Sequence, residues 1–209
     1  MSNIYVVTGA SGSGKTTIAQ AIAKQGEWEE CISHTTREIR DDEVDGKTYY
    51  FVSKEDFQMM AISDKLAEQV KYDGNYYGIS KEEIERVMKT GNDIFIIAEF
   101  NGYKQIKEQY PEAIGIFLYM TKEDCLANML IRGDKIEKAL KRIELYDEEM
   151  DNRGEYDYII RNVRNRRYIT ENIIKSIIAQ HKEFDCTLKT GATAKEIIRT
   201  GSIYKHNFI

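Results

Sequence analysis

The sequence predicts an α/β fold, a mostly parallel central sheet flanked by helices. Two observations point there. Short aliphatic and β-branched runs at 4–8, 94–98 and 114–120 alternate with segments at helical spacing. Uninterrupted apolar strands of this kind belong to parallel sheets covered on both faces. The first run also passes through a glycine-rich turn, Gly9–Gly14, straight into a helical pattern over 16–24, giving strand, loop and helix in sequence.

Composition sets the outer bounds. Of 209 residues, 42% are hydrophobic and 31% charged, near the globular average, which excludes a disordered chain. The length fits one domain at ~150 residues each, with room for an insertion. No apolar run approaches the ~20 residues of a spanning helix. No basic leader precedes Ile4, so a cytoplasmic protein with no membrane attachment is expected. A net charge of -5 disfavours a nucleic-acid binder, and any anionic ligand must be held by a local basic cluster. Cys31, Cys125 and Cys186 are odd in number and far apart, indicating neither a disulfide framework nor a zinc site.

The elements follow in order. Residues 4–8 read as a buried strand and 31–33 as a second, short one. The aromatic run 47–52 (KTYYFV) reads as a strand. Ser53 and Ser80 stand as helix N-caps, with Asp56 and Glu83 three residues on. Residues 94–98 follow the Gly91-Asn92 turn as a central strand, and 103–110 form a helix ended by Pro111. Another buried strand covers 114–120, and Thr121 caps the next helix with Asp124 three residues later. Residues 135–150 read as helical, 156–160 as a last strand and 169–181 as a last helix. Beyond 182 the pattern weakens to a short helix near 194–199.

Gly9-Ala10-Ser11-Gly12-Ser13-Gly14-Lys15-Thr16 fits G-x-x-x-x-G-K-[ST], the P-loop, and its place between strand and helix is the confirming context. Successive backbone N–H groups must curl around phosphate oxygens, which glycines permit, and the helix N-terminus faces the anion. Lys15 reaches the β- and γ-phosphates, the Thr16 hydroxyl ligates Mg²⁺, and Thr17 completes the ATP-binding stretch. ATP, rather than GTP, is the expected ligand of this loop. The fold is therefore a P-loop NTPase fold.

A second basic cluster lies at 33–52, where Ser33, Arg37, Arg40 and Tyr49 can converge on one phosphate. Arginine suits that task through paired, charge-assisted hydrogen bonds. The same spacing serves equally a solvated loop in which Arg37 and Arg40 pair with Glu38, Asp41, Asp42 and Glu43.

Here the chain resembles the guanylate kinases. The stretch S-H-T-T-R-x-x-R-x-x-E-V-D-G-x-x-Y-x-F-V from Ser33 is similar to their GMP-binding signature, and Glu68 followed by Gly74-Asn75-Tyr76-Tyr77-Gly78 is similar to a second block. The P-loop, the segment from Glu99 to Gly102 and the strand from Tyr156 to Asn162 fall in family order. The resemblance covers residues 4–162. It implies phosphorylation of GMP and dGMP by Mg²⁺-ATP, with ADP released. It also implies a core of 1–32, 91–120 and 151–185, a GMP-binding subdomain at 33–90 and a lid at 121–150, leaving 186–209 unassigned. Carried over, it gives Ser33, Arg37, Arg40, Tyr49 and Tyr77 the GMP phosphate. Glu68 would accept from guanine N1–H and the 2-amino group, a donor pair adenine lacks. For Glu68 a surface helix charge is the competing reading, and for Tyr77 ordinary sheet packing.

The chain departs from the pattern in places. Ile79 stands where relatives carry Ser or Thr, so Ser80 either reads guanine in its place or only caps a helix. The acidic D-x-D is Ile97-Ala98-Glu99, leaving Glu99 beside the base and Thr16 with waters as the main magnesium ligands. In the lid, Arg132 and Arg142 match the family's catalytic arginines, while Ala127 and Asn128 replace basic residues. For Arg142 a solvated helix face with Glu137 and Glu144 is the alternative. Two rival functions follow: a same-fold kinase for another nucleoside monophosphate, and a non-catalytic binding module. The retained Lys15 and loop glycines speak against the module.

Overall fold

The computed structural model describes residues 2–26, 28–40, 43–72 and 74–189. In chain order the elements are β1 (Ile4–Thr8), α1 (Lys15–Ala23), β2 (Trp28–Glu30), β3 (His34–Thr35), β4 (Tyr50–Phe51), α2 (Lys54–Ile62), β5 (Leu66–Tyr72), β6 (Asn75–Ser80), α3 (Lys81–Thr90), β7 (Asp93–Ile97), α4 (Phe100–Gln109), β8 (Ile114–Tyr119), α5 (Lys122–Ile131), α6 (Ile136–Glu144), α7 (Tyr146–Asp151), β9 (Tyr158–Arg161) and α8 (Arg167–Lys189). The chain divides into two compact units. One comprises the described residues of Val7–Glu27 and Ile114–Ile209, the other Ser2–Val6 and Trp28–Ala113. Strand β1 contributes residues to both.

In the first unit the strand order is β1-β8-β9, with β8 and β9 parallel from Ile116↔Tyr158 to Tyr119↔Arg161. Helix α1 packs on α8, α5 on α6 and α6 on α7. A cluster of Met120, Cys125, Met129, Ala139 and Ile143 encloses Ala10, so the glycine-rich turn rests on the same core as α5 and α6. Burying such side chains contributes ~1.5–3 kcal/mol each. That makes the loop's floor a packed one.

The second unit holds the order β2-β7-β1, with β2 and β7 parallel. The Ile94 N–H donates to the Asn3 carbonyl at 2.8 Å. A separate sheet runs β4-β3-β6-β5, its β5–β6 hairpin antiparallel. Helix α3 packs on β7 and α4 on β5. Parallel strands with helical crossovers are what the apolar runs predict, and the mostly parallel α/β class stands.

Local chemistry sets the boundaries. Ser53, Ser80 and Thr121 accept from the N–H groups of Asp56, Glu83 and Asp124, as capping predicts. Gly91, at φ 79°, ends α3.

Several expectations need correction. The strand read at 31–33 lies at Trp28–Glu30, because Trp28 anchors it between Tyr5 and Phe95, ring centroids 5.7 and 4.9 Å away. Of the run 47–52 only Tyr50 and Phe51 are strand. The Lys47 and Thr48 N–H groups turn back to the Val44 carbonyl at 3.1 and 2.9 Å. The helix read at 135–150 is two, α6 and α7, meeting at Leu145, whose N–H donates to Arg142. The helix read at 103–110 starts at Phe100, the strand read at 156–160 at Tyr158, and the helix read at 169–181 runs from Arg167 to Lys189. The short helix read at 194–199 lies outside the described residues.

Candidate functional site

The first unit carries the anion loop. Gly12 adopts φ +84°, and a Cβ there would lie 2.3 Å from the Cys125 carbonyl oxygen. The loop can therefore sit this close to α5 only as glycine. The Lys15 ammonium donates to the carbonyls of Gly9 and Ala10, to the latter at 3.0 Å. Ser13 is fully buried, and its hydroxyl has no hydrogen-bond partner among the described residues. Ser11 and Gly14 are half-buried, and the Thr16 and Thr17 side chains are exposed on the first turn of α1. A helix N-terminus with exposed hydroxyls beside a lysine can take an anion. No group of three or more His, Cys, Asp or Glu that could hold a metal ion gathers among the described residues. The exposed Thr16 hydroxyl fits Mg²⁺, which keeps several waters and needs few protein oxygens when phosphates supply the rest.

The second unit brings Arg37, Tyr49 and Tyr77 together. The Arg37 guanidinium lies 5.6 Å from the Tyr49 ring centroid and 5.7 Å from that of Phe51. Tyr49 and Tyr77 meet edge to face at 6.0 Å. Glu43 first, and then Tyr77, favours the charged form of the Arg37 guanidinium. Its strongest partner is Glu43, gripped by two hydrogen bonds of 2.9 and 2.6 Å. The bond from Arg37 holds the Glu43 carboxyl below its ordinary value. Of the two readings of this loop, the Arg37–Glu43 pair is thus present. Arg40 donates its backbone N–H to the Glu43 carboxylate at 2.9 Å, and its side chain is exposed. Ser33 is half-buried, its carbonyl accepting from the Tyr50 N–H at 2.9 Å.

Glu68 is no surface helix charge. It lies on β5, paired with Ile79 of β6, and is 7% exposed. Its carboxylate has no hydrogen-bond partner among the described residues. Burial, and then the neighbouring Glu99 charge, push its pKa up to about 7. Gly102 makes room for it, since a Cβ there would lie 3.0 Å from Glu68 Oε2. Glu99 is exposed at the N-cap of α4 and makes no cap bond with its side chain. Ser80 is buried, its hydroxyl accepting from the Glu83 N–H at 3.1 Å. Ile79 is buried beside it. An ionised carboxylate so placed can accept two N–H groups from a planar base.

In the first unit, Arg132 and Arg142 share one carboxylate. Arg132 Nε donates to Asp134 at 3.0 Å, and Arg142 reaches the same carboxylate at 3.1 Å. The bond from Arg132, followed by Coulomb attraction from Arg132 and Arg142, holds Asp134 below its ordinary value. Gly133 between them has φ +94°.

Sequence reasoning missed two residues at the anion loop. Asn128 donates to the Gly12 carbonyl at 2.9 Å, and Asn162 to the Ser13 carbonyl at 2.9 Å. Helical spacing on α5 places residue 128 on a helix, but no sequence signal says what an amide there touches.

Comparison with known proteins gives a consistent result. The family described as Guanylate kinase matches residues 1–189. The guanylate kinase of Buchnera aphidicola subsp. Acyrthosiphon pisum (strain APS) is 35% identical over 183 residues, 85% of this chain and 88% of that protein. The guanylate kinase of Escherichia coli (strain K12) is 37% identical over 164 residues, 76% and 79% respectively. Among solved structures, a guanylate kinase from Anaplasma phagocytophilum superposes with a TM-score of 0.67 at 24% identity, covering 86% of each chain, a likeness of fold.

Proposed function

The chain belongs to the guanylate kinase family, and on that premise we infer that it transfers the γ-phosphoryl group of ATP to GMP, releasing ADP and GDP. An oxygen of the GMP phosphate bonds to the γ-phosphorus. The bond from that phosphorus to the β,γ-bridging oxygen breaks, and ADP leaves with the electron pair. The acceptor oxygen is already anionic at neutral pH, so no general base is needed. Catalysis is then placement and charge neutralisation.

The chain's residues divide that work. Backbone N–H groups along the Gly9–Gly14 turn, with the Thr17 hydroxyl, wrap the ATP phosphates. Lys15 exchanges its loop carbonyls for the β- and γ-oxygens. Thr16 would hold Mg²⁺, which supplies charge neutralisation at the phosphates when bound. Arg37 and Arg40, with Ser33, Tyr49 and Tyr77, hold the GMP phosphate. Glu68 accepts from guanine N1–H and the 2-amino group. Glu99 accepts a hydrogen bond from the remaining amino N–H. The Ser80 hydroxyl, which has one donor beside its accepting lone pairs, donates a hydrogen bond to guanine O6. Arg132 and Arg142 turn from Asp134 to the transferring group when the lid, 121–150, closes on ATP. The acceptor subdomain is 33–90. dGMP, which carries the same phosphate and base, serves as a second acceptor.

One observation carries the base assignment: a carboxylate, Glu68, buried without a hydrogen-bond partner among the described residues, where two donors from a base would satisfy it. A coupled assay of ADP release with GMP, dGMP, AMP, UMP and CMP tests the reading. Turnover with GMP and dGMP, at rates far above the others, is expected. No turnover with either guanine nucleotide, or a preference for another base, overturns it.

A further inference from the structure

Asn162 follows β9 directly, and its backbone N–H donates to the Tyr119 carbonyl at 2.8 Å, fixing it beside β8. Its side chain bridges two buried groups. Nδ2 donates to the Ser13 carbonyl at 2.9 Å, and Oδ1 accepts from the Thr170 hydroxyl of α8 at 3.0 Å. Asn162 is 8% exposed and Thr170 1%. The amide can face only one way. A carbonyl oxygen accepts and cannot donate, so the NH₂ group must meet Ser13, and the hydroxyl locks the other end. Rotating the amide would set oxygen against oxygen in a buried site.

That lock acts on one peptide of the loop. In a trans peptide the carbonyl and the next N–H point to opposite sides. With the Ser13 carbonyl tied to Asn162, the Gly14 N–H is turned away from Asn162. Gly14 itself has φ +91°, and a Cβ at that position would lie 2.6 Å from Asn162 Nδ2. Asn162 thus fills the space a side chain at 14 would need. Asn128 treats the preceding carbonyl, that of Gly12, in the same manner.

We propose that Asn162, oriented by Thr170, is a positioning residue for the donor nucleotide: it fixes the peptide between Ser13 and Gly14 so that the Gly14 N–H is presented to the ATP phosphates before they arrive. The proposal rests on the reading of the Gly9–Thr16 turn as the ATP loop. Its energetic logic is preorganisation, since an N–H already aimed at the anion costs no rearrangement on binding.

Steady-state kinetics on the full chain, varying ATP and GMP separately, with the melting temperature of each variant, provides the test. Asn162→Asp sets a carboxylate oxygen against the Ser13 carbonyl. It should raise KM for ATP roughly tenfold or more, the weight of one lost buried hydrogen bond, and leave KM for GMP unchanged. Thr170→Val should shift the same constant less, and Thr170→Ser should restore it. If Asn162→Asp does not fold, the Thr170 pair decides. Folded variants whose melting temperature falls while KM for ATP stays at the wild-type value, or whose two KM values rise together, overturn the proposal. Lys15→Ala separates the two levels. If it retains transfer, the loop reading itself fails. If it is inactive while the Asn162 and Thr170 variants keep wild-type KM for ATP, only the positioning role fails.

Discussion

Glu68 is the buried carboxylate to which the proposed function assigns base recognition, and its burial has a measurable consequence without any ligand. Its folded pKa of about 7 stands above the ordinary 4.5 because burial, then the Glu99 charge, disfavours the ionised form. The folded chain therefore holds this proton more tightly than the unfolded chain does. Stability present below pH 4.5 is lost as pH rises through about 7. At full ionisation the loss approaches roughly 3 kcal/mol. Glu68→Gln should melt with wild type near pH 4.5 and several degrees above it at pH 8, by calorimetry or circular dichroism. A melting difference that does not grow with pH contradicts the assigned burial. Arg37 shows the complementary case. Its fork is occupied by Glu43 through two bonds, so an arriving phosphate meets a guanidinium already preoriented by a carboxylate. The arginine pattern in the sequence allowed both a phosphate site and a loop ion pair, and the structure contains the ion pair.

Elements whose ends are set by local chemistry were legible, and those set by distant packing were not. Ser53, Ser80 and Thr121 cap α2, α3 and α5 because a side-chain oxygen two to three residues from an N–H is decided within one turn. The hairpin of β5 and β6 was not read as strands. Its first arm, LAEQVKY, carries Glu68 and Lys71 without clean alternation, and only its pairing with NYYGIS makes it sheet. Likewise 135–150 keeps helical spacing through Leu145, and nothing local announces the break. Ser80 has two assignments that one variant separates. Ser80→Ala should cost about 1 kcal/mol of stability through the lost cap and also raise KM for GMP several-fold. A lower melting temperature with an unchanged KM for GMP confines Ser80 to capping α3.

At the scale of the whole molecule, the proposed function draws donor and acceptor chemistry from different units: the Gly9–Thr16 loop from one, Arg37, Tyr49, Glu68 and Tyr77 from the other. Lys15→Ala should therefore abolish transfer while GMP still binds with near wild-type affinity by titration calorimetry. Loss of GMP binding in the folded variant would mean the two functions are not separable. The α/β class and the glycine-rich turn between strand and helix followed from the sequence, because apolar runs and loop glycines announce themselves by spacing, whereas the spacing of the arginines left their role open. Asn128, Asn162 and Thr170 did not follow from the sequence, since a buried amide or hydroxyl acquires its partner only when strands and helices remote in sequence meet. The most direct measurement compares kcat/KM for GMP and for IMP, which keeps N1–H but lacks the 2-amino group, in wild type and in Glu68→Gln. Wild type should favour GMP by at least roughly tenfold, the value of one charge-assisted hydrogen bond, and the variant should lose most of that preference. Equal use of GMP and IMP by wild type, or a preference untouched by the substitution, would contradict guanine reading by the buried carboxylate.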